Sequence, residues 1–456
     1  MKKTLKEIAI EKLKQPGYED HALPVSRRDF IKLGLLAGGG AVLPLSLTER
    51  VLAQMTGVVR IPFLVFDLAG GAGMPANFLV GQEGGPEDLC NDYRRHGWNP
   101  RASGALDKTF GIPMAAGGVS KMLEGLKANL PQALTNEAQR SLKMASFCHF
   151  SLDDTSTNRA SALTLVSRCG LQGSFLRAGL GLQSTLSGGN SDAYLSDSKF
   201  KPQMIRNLDE LTRITSFGAT FEELDPHTRK AIFNNLKGLA GESSQLKEVY
   251  EELSTFGVAE PKLDPRNNAQ MNELYQLQNS SIDSPQALQA GIVYNTLMGN
   301  TGPGVITFSN CDYHDNTQTT GDAKDLEIGV AIGRAVHAAH LLKKPLFYQI
   351  ITDGGVYAPG SDNYDRRWVG DRNQHSLTVV GYFDPNRDVE LRRAQVGRYT
   401  PNAEVDQKTF IGDKPEKMVP AVLANYLHVQ GLSGQIEAIS GIRLQNSELD
   451  KMLVFA

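Results

Sequence analysis

Three apolar, strand-like runs of this chain each lead into an aspartate. Ile61–Phe66 runs into Asp67-Leu68-Ala69-Gly70-Gly71, Val305–Phe308 into Ser309-Asn310-Cys311-Asp312-Tyr313-His314-Asp315, and Leu346–Thr352 into Asp353-Gly354-Gly355. In open α/β sheets, ligands bind in the crevice beyond the carboxyl ends of the strands. Acids delivered there by three strands supply hard oxygen ligands, and His314 adds a nitrogen. Carboxylates crowded together repel one another, so a divalent cation such as zinc or calcium is the guest they favour. Taken singly, a strand-end Asp serves equally well by capping the next helix or closing a turn. The grouping of Asp67, Asp312, His314 and Asp353 is what points to metal.

Two further stretches carry chemistry. Asp371-Arg372-Asn373-Gln374-His375 places an acid and an imidazole four residues apart just before the last strand-like run. Arg372, with Arg366 and Arg367 nearby, would hold a small anionic substrate through bidentate hydrogen bonds, although surface salt bridges are the ordinary use of such arginines. The hydroxyl-dense loop from His149 to Arg159 places Thr155 and Ser156 near the start of a helix. There the helix dipole would support an attacking oxygen or a phosphate, and Arg159 would hold the anion. The same hydroxyls would also serve as a helix N-cap. His337 and His340 share a helix face but lack the His-Glu-x-x-His pattern, so they read as packing or surface residues. Gly70, Gly71 and Gly73 do not complete a dinucleotide fingerprint, which argues against a nicotinamide cofactor.

The elements needed to position these groups are legible as five buried strands, Ile61–Phe66, Lys143–Phe150, Val305–Phe308, Leu346–Thr352 and Ser376–Phe383. Between them, Ala323 to Leu342 reads as a helix with Leu326, Val330, Ile332, Val336 and Leu341 as its buried stripe. Strands alternating with helices predict an α/β fold, a mostly parallel sheet covered on both faces. Residues 185–290 are polar and helical in pattern, and read as a helical insertion or cap on a single domain spanning 54–456.

The amino-terminal segment is an address. Ser26-Arg27-Arg28-Asp29-Phe30-Ile31-Lys32 has the form of a twin-arginine signal, read by a translocase that exports folded proteins. The apolar run Leu33–Leu47 is broken by Gly34, Gly38, Gly39, Gly40 and Pro44, whereas a spanning helix needs roughly 20 mostly apolar residues. Val51-Leu52-Ala53 offers a cleavage site, so residues 1–53 are predicted to be removed and the mature protein to be periplasmic or secreted, with no membrane span. The leader carries nine of the 47 Lys and Arg residues and six of the 50 Asp and Glu residues. The mature part is therefore acidic, which excludes the basic face a nucleic-acid partner requires. The four cysteines show no metal-site spacing, and their sequence leaves free thiols and disulfides both open.

With the leader, the stretch Asp67-Leu68-Ala69-Gly70-Gly71-Ala72-Gly73-Met74-Pro75-Ala76-Asn77 resembles the secreted bacterial family catalogued as domain of unknown function 1501. Cys311-Asp312-Tyr313-His314 resembles that family's Gly-aromatic-Asp-Thr-His motif, and Asn158-Arg159-Ala160-Ser161 its Asn-Arg-Ser-His-Phe loop. Asp371 through His375 echoes a later Asp-His-Gly-rich segment. The resemblance implies an alkaline-phosphatase-like fold and membership of the phosphatase and sulfatase superfamily. It would give Asp312, His314, Asp353 and His375 to a metal and Ser156 or Thr155 to nucleophilic attack. The chain departs from the family at Gly73, where an Asp is expected, at Ala162, which replaces a His, and after Asp353, where no His follows. These losses leave a non-catalytic binding or envelope-assembly protein as the alternative to a hydrolase.

Overall fold

The computed structural model describes residues 61–82, 88–90, 93–96, 106–151, 162–167, 169, 176–178, 203–204, 206–209, 264–299, 301–311, 313, 318–352, 354–358, 368–371, 373–413, 415–437 and 443–456. The targeting segment and most of the expected helical insertion lie outside them.

In chain order the strands are β1 (Phe63–Leu68), β2 (Leu106–Asp107), β3 (Met114–Ala115), β4 (Leu142–Cys148), β5 (Leu176–Ala178), β6 (Gln203–Met204), β7 (Gly304–Phe308), β8 (Leu346–Thr352), β9 (Val356–Tyr357), β10 (Val369–Asp371), β11 (Leu377–Phe383) and β12 (Gln395–Val396). The α-helices are α1 (Met74–Asn77), α2 (Lys121–Asn129), α3 (Leu163–Ser167), α4 (Ala269–Tyr275), α5 (Pro285–Met298), α6 (Gln318–Leu341), α7 (Pro415–His428) and α8 (Asn446–Met452). Eight strands form one sheet in the order β12-β4-β11-β8-β1-β7-β5-β6. All of them run parallel except β11, which is antiparallel to both β8 and β4. The fold is thus α/β with a mostly parallel, mixed sheet. All five strands read from the sequence belong to it, with ends shifted by up to two residues.

Every residue of β1, β7, β8 and β11 is buried, as expected for strands covered on both faces. Leu64, Phe66 and Leu68 of β1 join a core with α2, α4, α5 and α6, while Phe63 and Val65 join a second core with α3, α7 and α8. That alternation is the strand period of two made physical.

The long helix departs from the predicted stripe. Leu326 is exposed and Val330 half-buried, while Ile328, Gly329, Ala331, Ile332, Ala335, Val336, Ala338 and Ala339 face inward. The cause is a close crossing with α2. A side chain on Gly329 would run into the Met122 carbonyl, a Cβ on Gly333 would lie 2.7 Å from the Leu126 oxygen, and one on Gly125 would lie 2.8 Å from the Val330 nitrogen. The packed seam is marked by small residues, which an apolar pattern search passes over.

Residues 264–290, the end of the expected insertion, are part of the body. Ser284 caps α5 by accepting the Ala287 N–H at 3.2 Å, Gly299 ends it with φ 69°, and Met271, Tyr275 and ten α5 residues are buried. All four cysteines are buried free thiols. No helix among the described residues is long and apolar enough to cross a membrane.

Candidate functional site

Parallel alignment brings the predicted strand ends together. β7, β1 and β8 are immediate neighbours in register, with Asp67 opposite Thr307 on one side and Ile351 on the other. β11 starts at the same edge because it runs the other way beside β8. The carboxyl ends of β4, β8, β1 and β7 and the start of β11 therefore line one rim. At about 4.8 Å per strand spacing, that rim spans about 20 Å from β4 to β7.

Hydrogen bonds lace the rim. Thr307 Oγ1 donates to Asp67 Oδ2 at 3.2 Å, deep in the sheet where Asp67 has no exposed surface. Thr352 Oγ1, ending β8, accepts the Ala72 N–H at 3.0 Å and donates to the Gly70 carbonyl at 2.7 Å. The segment after β7 is zipped to the turn after β1, with Cys311 N to Ala69 O and Tyr313 N to Gly71 O, both 3.2 Å. Gly70 makes that turn with φ 123°, a conformation that disfavours any side chain.

Behind the turn lies a buried polar hub that the sequence reading missed. Asn77 Nδ2 donates to Asp325 Oδ2 at 2.6 Å, and Tyr313 Oη donates to Asp325 Oδ1 at 3.0 Å. Asn77 Oδ1 accepts from Ser120 Oγ at 2.7 Å and from the Met122 N–H at 3.2 Å. Burial pushes the Asp325 carboxyl up to about 7, against the lowering by its bonds to Asn77 and Tyr313, with Asp322 raising it further. Tyr313 stacks on Trp368 with ring centroids 5.4 Å apart. A Cβ on Gly73 would lie 2.7 Å from the Trp368 ring, so the indole fills the space that a side chain at position 73 would need. An Asp embedded in an apolar helix stripe is the one signal from which Asp325 was readable.

At the start of β11, His375 is buried, stacked on Tyr357 at 5.5 Å and set edge to face against His96 at 5.1 Å. His96 is equally buried and stacks on Tyr399 at 5.3 Å. Neither of its ring nitrogens makes a well-formed hydrogen bond. Burial holds its pKa well below the usual imidazole value, His375 lowers it further, and the Ala403 backbone works the other way. The sequence reading also missed His96, which sits in a short Arg94–His96 turn with no motif around it.

Of the predicted site residues, Asp67 and His375 are thus placed on the same rim, two strand spacings apart. Asp371 closes β10, paired in register with Val356 beside Tyr357. Asp312, His314, Asp353, Thr155, Ser156, Arg159 and Arg372 lie outside the described residues. Tyr313, Thr352 and Gly354, which adjoin three of them in sequence, are described and belong to the rim. Among the described residues no group of three His, Cys, Asp or Glu side chains could hold a metal ion. His149, at the end of β4, is satisfied, with Nδ1 donating to the Phe150 carbonyl at 3.1 Å and Nε2 3.0 Å from Thr378 Oγ1. Burial lowers it to about 4. His337 is likewise a packing residue, bonded to the Asn129 carbonyl at 3.1 Å. A cleft of about 190 Å³ opens beside β7, lined by Leu288, Gln289, Thr307, Phe308, Ser309 and Lys324 among others.

No family model, curated protein or solved structure matches the chain.

Proposed function

We propose that this chain is an exported, metal-dependent hydrolase of phosphate or sulfate esters, built on an alkaline-phosphatase-like fold and related to the domain of unknown function 1501 family. The observation that carries this reading is the shared rim: Asp67 near the end of β1, Thr352 at the end of β8 and the turn ending at His375 before β11 all lie at one edge of a mostly parallel sheet. That is the edge at which such sheets bind ligands. The residues available fit a cation in kind, because carboxylate oxygens and imidazole nitrogens are the donors that divalent ions such as zinc take.

In this reading Asp67, Asp312, His314, Asp353, Asp371 and His375 supply the ligands. The chemistry a divalent cation brings is neutralisation of ester charge and a lower pKa for the attacking oxygen. Ser156 or Thr155, both of which follow β4 in sequence, attacks the ester. Arg159 and Arg372 hold the anionic group by paired hydrogen bonds. The leader directs the folded protein through the twin-arginine translocase to the periplasm or beyond.

The test is elemental analysis of the protein purified after export, together with turnover of aryl phosphates and aryl sulfates. A stoichiometric divalent metal and turnover that chelation abolishes are expected. Metal-free protein inert toward both ester classes would overturn the reading. A specific observation favours a second one: Trp368 fills the space beside Gly73. A site closed there by an indole suits a binding protein that keeps the rim and has lost the reaction, and for it metal would be present without turnover.

A further inference from the structure

We infer that the cleft beside β7 binds a neutral polyhydroxylated ring, of the size of one monosaccharide or cyclitol. The cleft is separate from the Asp67 rim. Ile306 and Phe308 point to the core shared with α5 and α6, whereas Thr307 between them turns its hydroxyl to Asp67 on the other face of the sheet.

Its place in the fold is one where α/β sheets hold ligands. β5 and β7 are parallel neighbours, yet the chain goes on from β7 to β8 on one side and from β5 to β6 on the other. Connections that leave in opposite directions make a topological switch point, with a crevice beyond the carboxyl ends of the strands. The cleft opens at the end of β7, between the first turn of α5 and the Lys324–Glu327 stretch of α6. Its volume is about 190 Å³. At about 30 Å³ per water that is room for roughly six waters, below the roughly 300–1,000 Å³ of sites for larger organic ligands. One small ring fits, and a nucleotide does not.

The lining sets the chemistry. Lys324 Nζ donates to Glu327 Oε2 at 2.8 Å, so the one cationic side chain of the cleft is already matched and a phosphate or carboxylate finds no spare charge. Pro285 has no N–H and the Ser284 hydroxyl takes the Ala287 N–H, so the start of α5 lacks the converging donors that hold an anion. A cation gains little either, because Asp283 is exposed and its charge is screened by solvent. What remains is alternating hydrogen-bond capacity. The ion pair leaves two ammonium N–H donors beside a second carboxylate oxygen, and Gln289 and Ser309 each offer a donor and an acceptor. Adjacent hydroxyls, which donate and accept at once, match that alternation. Leu288, Ile306 and Phe308 supply an apolar floor for the C–H face of a ring.

The experiment is saturation-transfer NMR and calorimetric titration of the protein purified after export, with methyl glucoside, methyl galactoside and myo-inositol as probes and with inorganic phosphate and n-butylamine as charged competitors. At least one ring is expected to bind with a dissociation constant on the order of 1–10 mM, the scale for so few atoms. Neither competitor is expected to displace it. Ser309→Trp fills the cleft and Gln289→Leu removes the carboxamide, and each is expected to weaken binding by about 10-fold or more. Gln286→Leu, exposed on the same helix and outside the cleft, is expected to leave binding unchanged. If no ring binds at concentrations up to about 50 mM, if phosphate or the amine displaces the ring, or if Gln289→Leu binds as well as wild type, the inference is overturned. Should Ser309→Trp fail to fold, the half-buried Gln289→Leu, checked by thermal unfolding, decides the matter alone. Metal content and ester turnover decide the hydrolase reading separately, whichever way the rings behave.

Discussion

His149, at the end of β4, and His96, beside the start of β11, are each about 1% exposed. His149 has both nitrogens occupied, one by a carbonyl and one by the Thr378 hydroxyl, and is held neutral by burial. His96 is pushed the same way by burial, yet its ring packs against the His375 and Tyr399 rings and its nitrogens make no well-formed hydrogen bond. Equal burial therefore does not mean equal purpose. A buried polar group whose bonds are complete belongs to the framework, and one whose bonds are incomplete is the place to look for a ligand.

The comparison breaks most visibly at His149. Replacing it with Ala opens a cavity and strands the Thr378 hydroxyl, and should lower stability by about 3–5 kcal/mol in urea unfolding. A loss under about 1 kcal/mol would mean that its bonds are not structural.

Asp325 lies between the two cases, well bonded but carrying a charge that burial opposes. Its folded pKa, about 7, stands above the ordinary aspartate value of 3.8. The stability tied to its proton is fully present below the unfolded value and is lost as pH rises through about 7. Between pH 5 and pH 8 the wild type should lose on the order of 3 kcal/mol at this site. Asp325→Asn should flatten that slope, at the cost of facing one amide N–H toward the Asn77 donor. Thermal unfolding against pH measures it, and an unchanged slope in the variant would remove Asp325 from the account.

Gly73→Ala sharpens the contrast between filled and open parts of the rim. Its Cβ meets Trp368 at 2.7 Å, so the variant should lose about 2 kcal/mol and change the Trp368 fluorescence. Trp368→Leu in the same protein should recover part of that loss. The smallest effect belongs to His96→Phe in metal-free protein, where removing unsatisfied nitrogens should change stability by under about 1 kcal/mol in either direction.

Much of the frame was legible from local pattern. The runs that became β1, β4, β7, β8 and β11 are short, apolar and rich in branched or aromatic residues, and burial on both faces follows from that composition. The acids after β1, β7 and β8 could be read as a group because parallel strands deliver their carboxyl ends to one edge. The inward face of α6 was misread because glycine and alanine, not large apolar residues, let its backbone approach α2. His96 was passed over because no motif marks it and His375 and Tyr399 lie hundreds of positions away, and Asp325 because one of its two partners, Asn77, lies 248 positions away.

What the sequence determined by itself was the alternation of strands and helices, the parallel character of the sheet and the run of acids at strand ends, since each depends on periodicity over a few residues. The antiparallel direction of β11, which starts at the rim just after His375, was decided only by tertiary structure. So were the meeting of His375 with His96 and the filling of the Gly73 space by Trp368. These are contacts between distant segments, chosen by how whole side chains pack once the sheet has closed, and no local pattern encodes them.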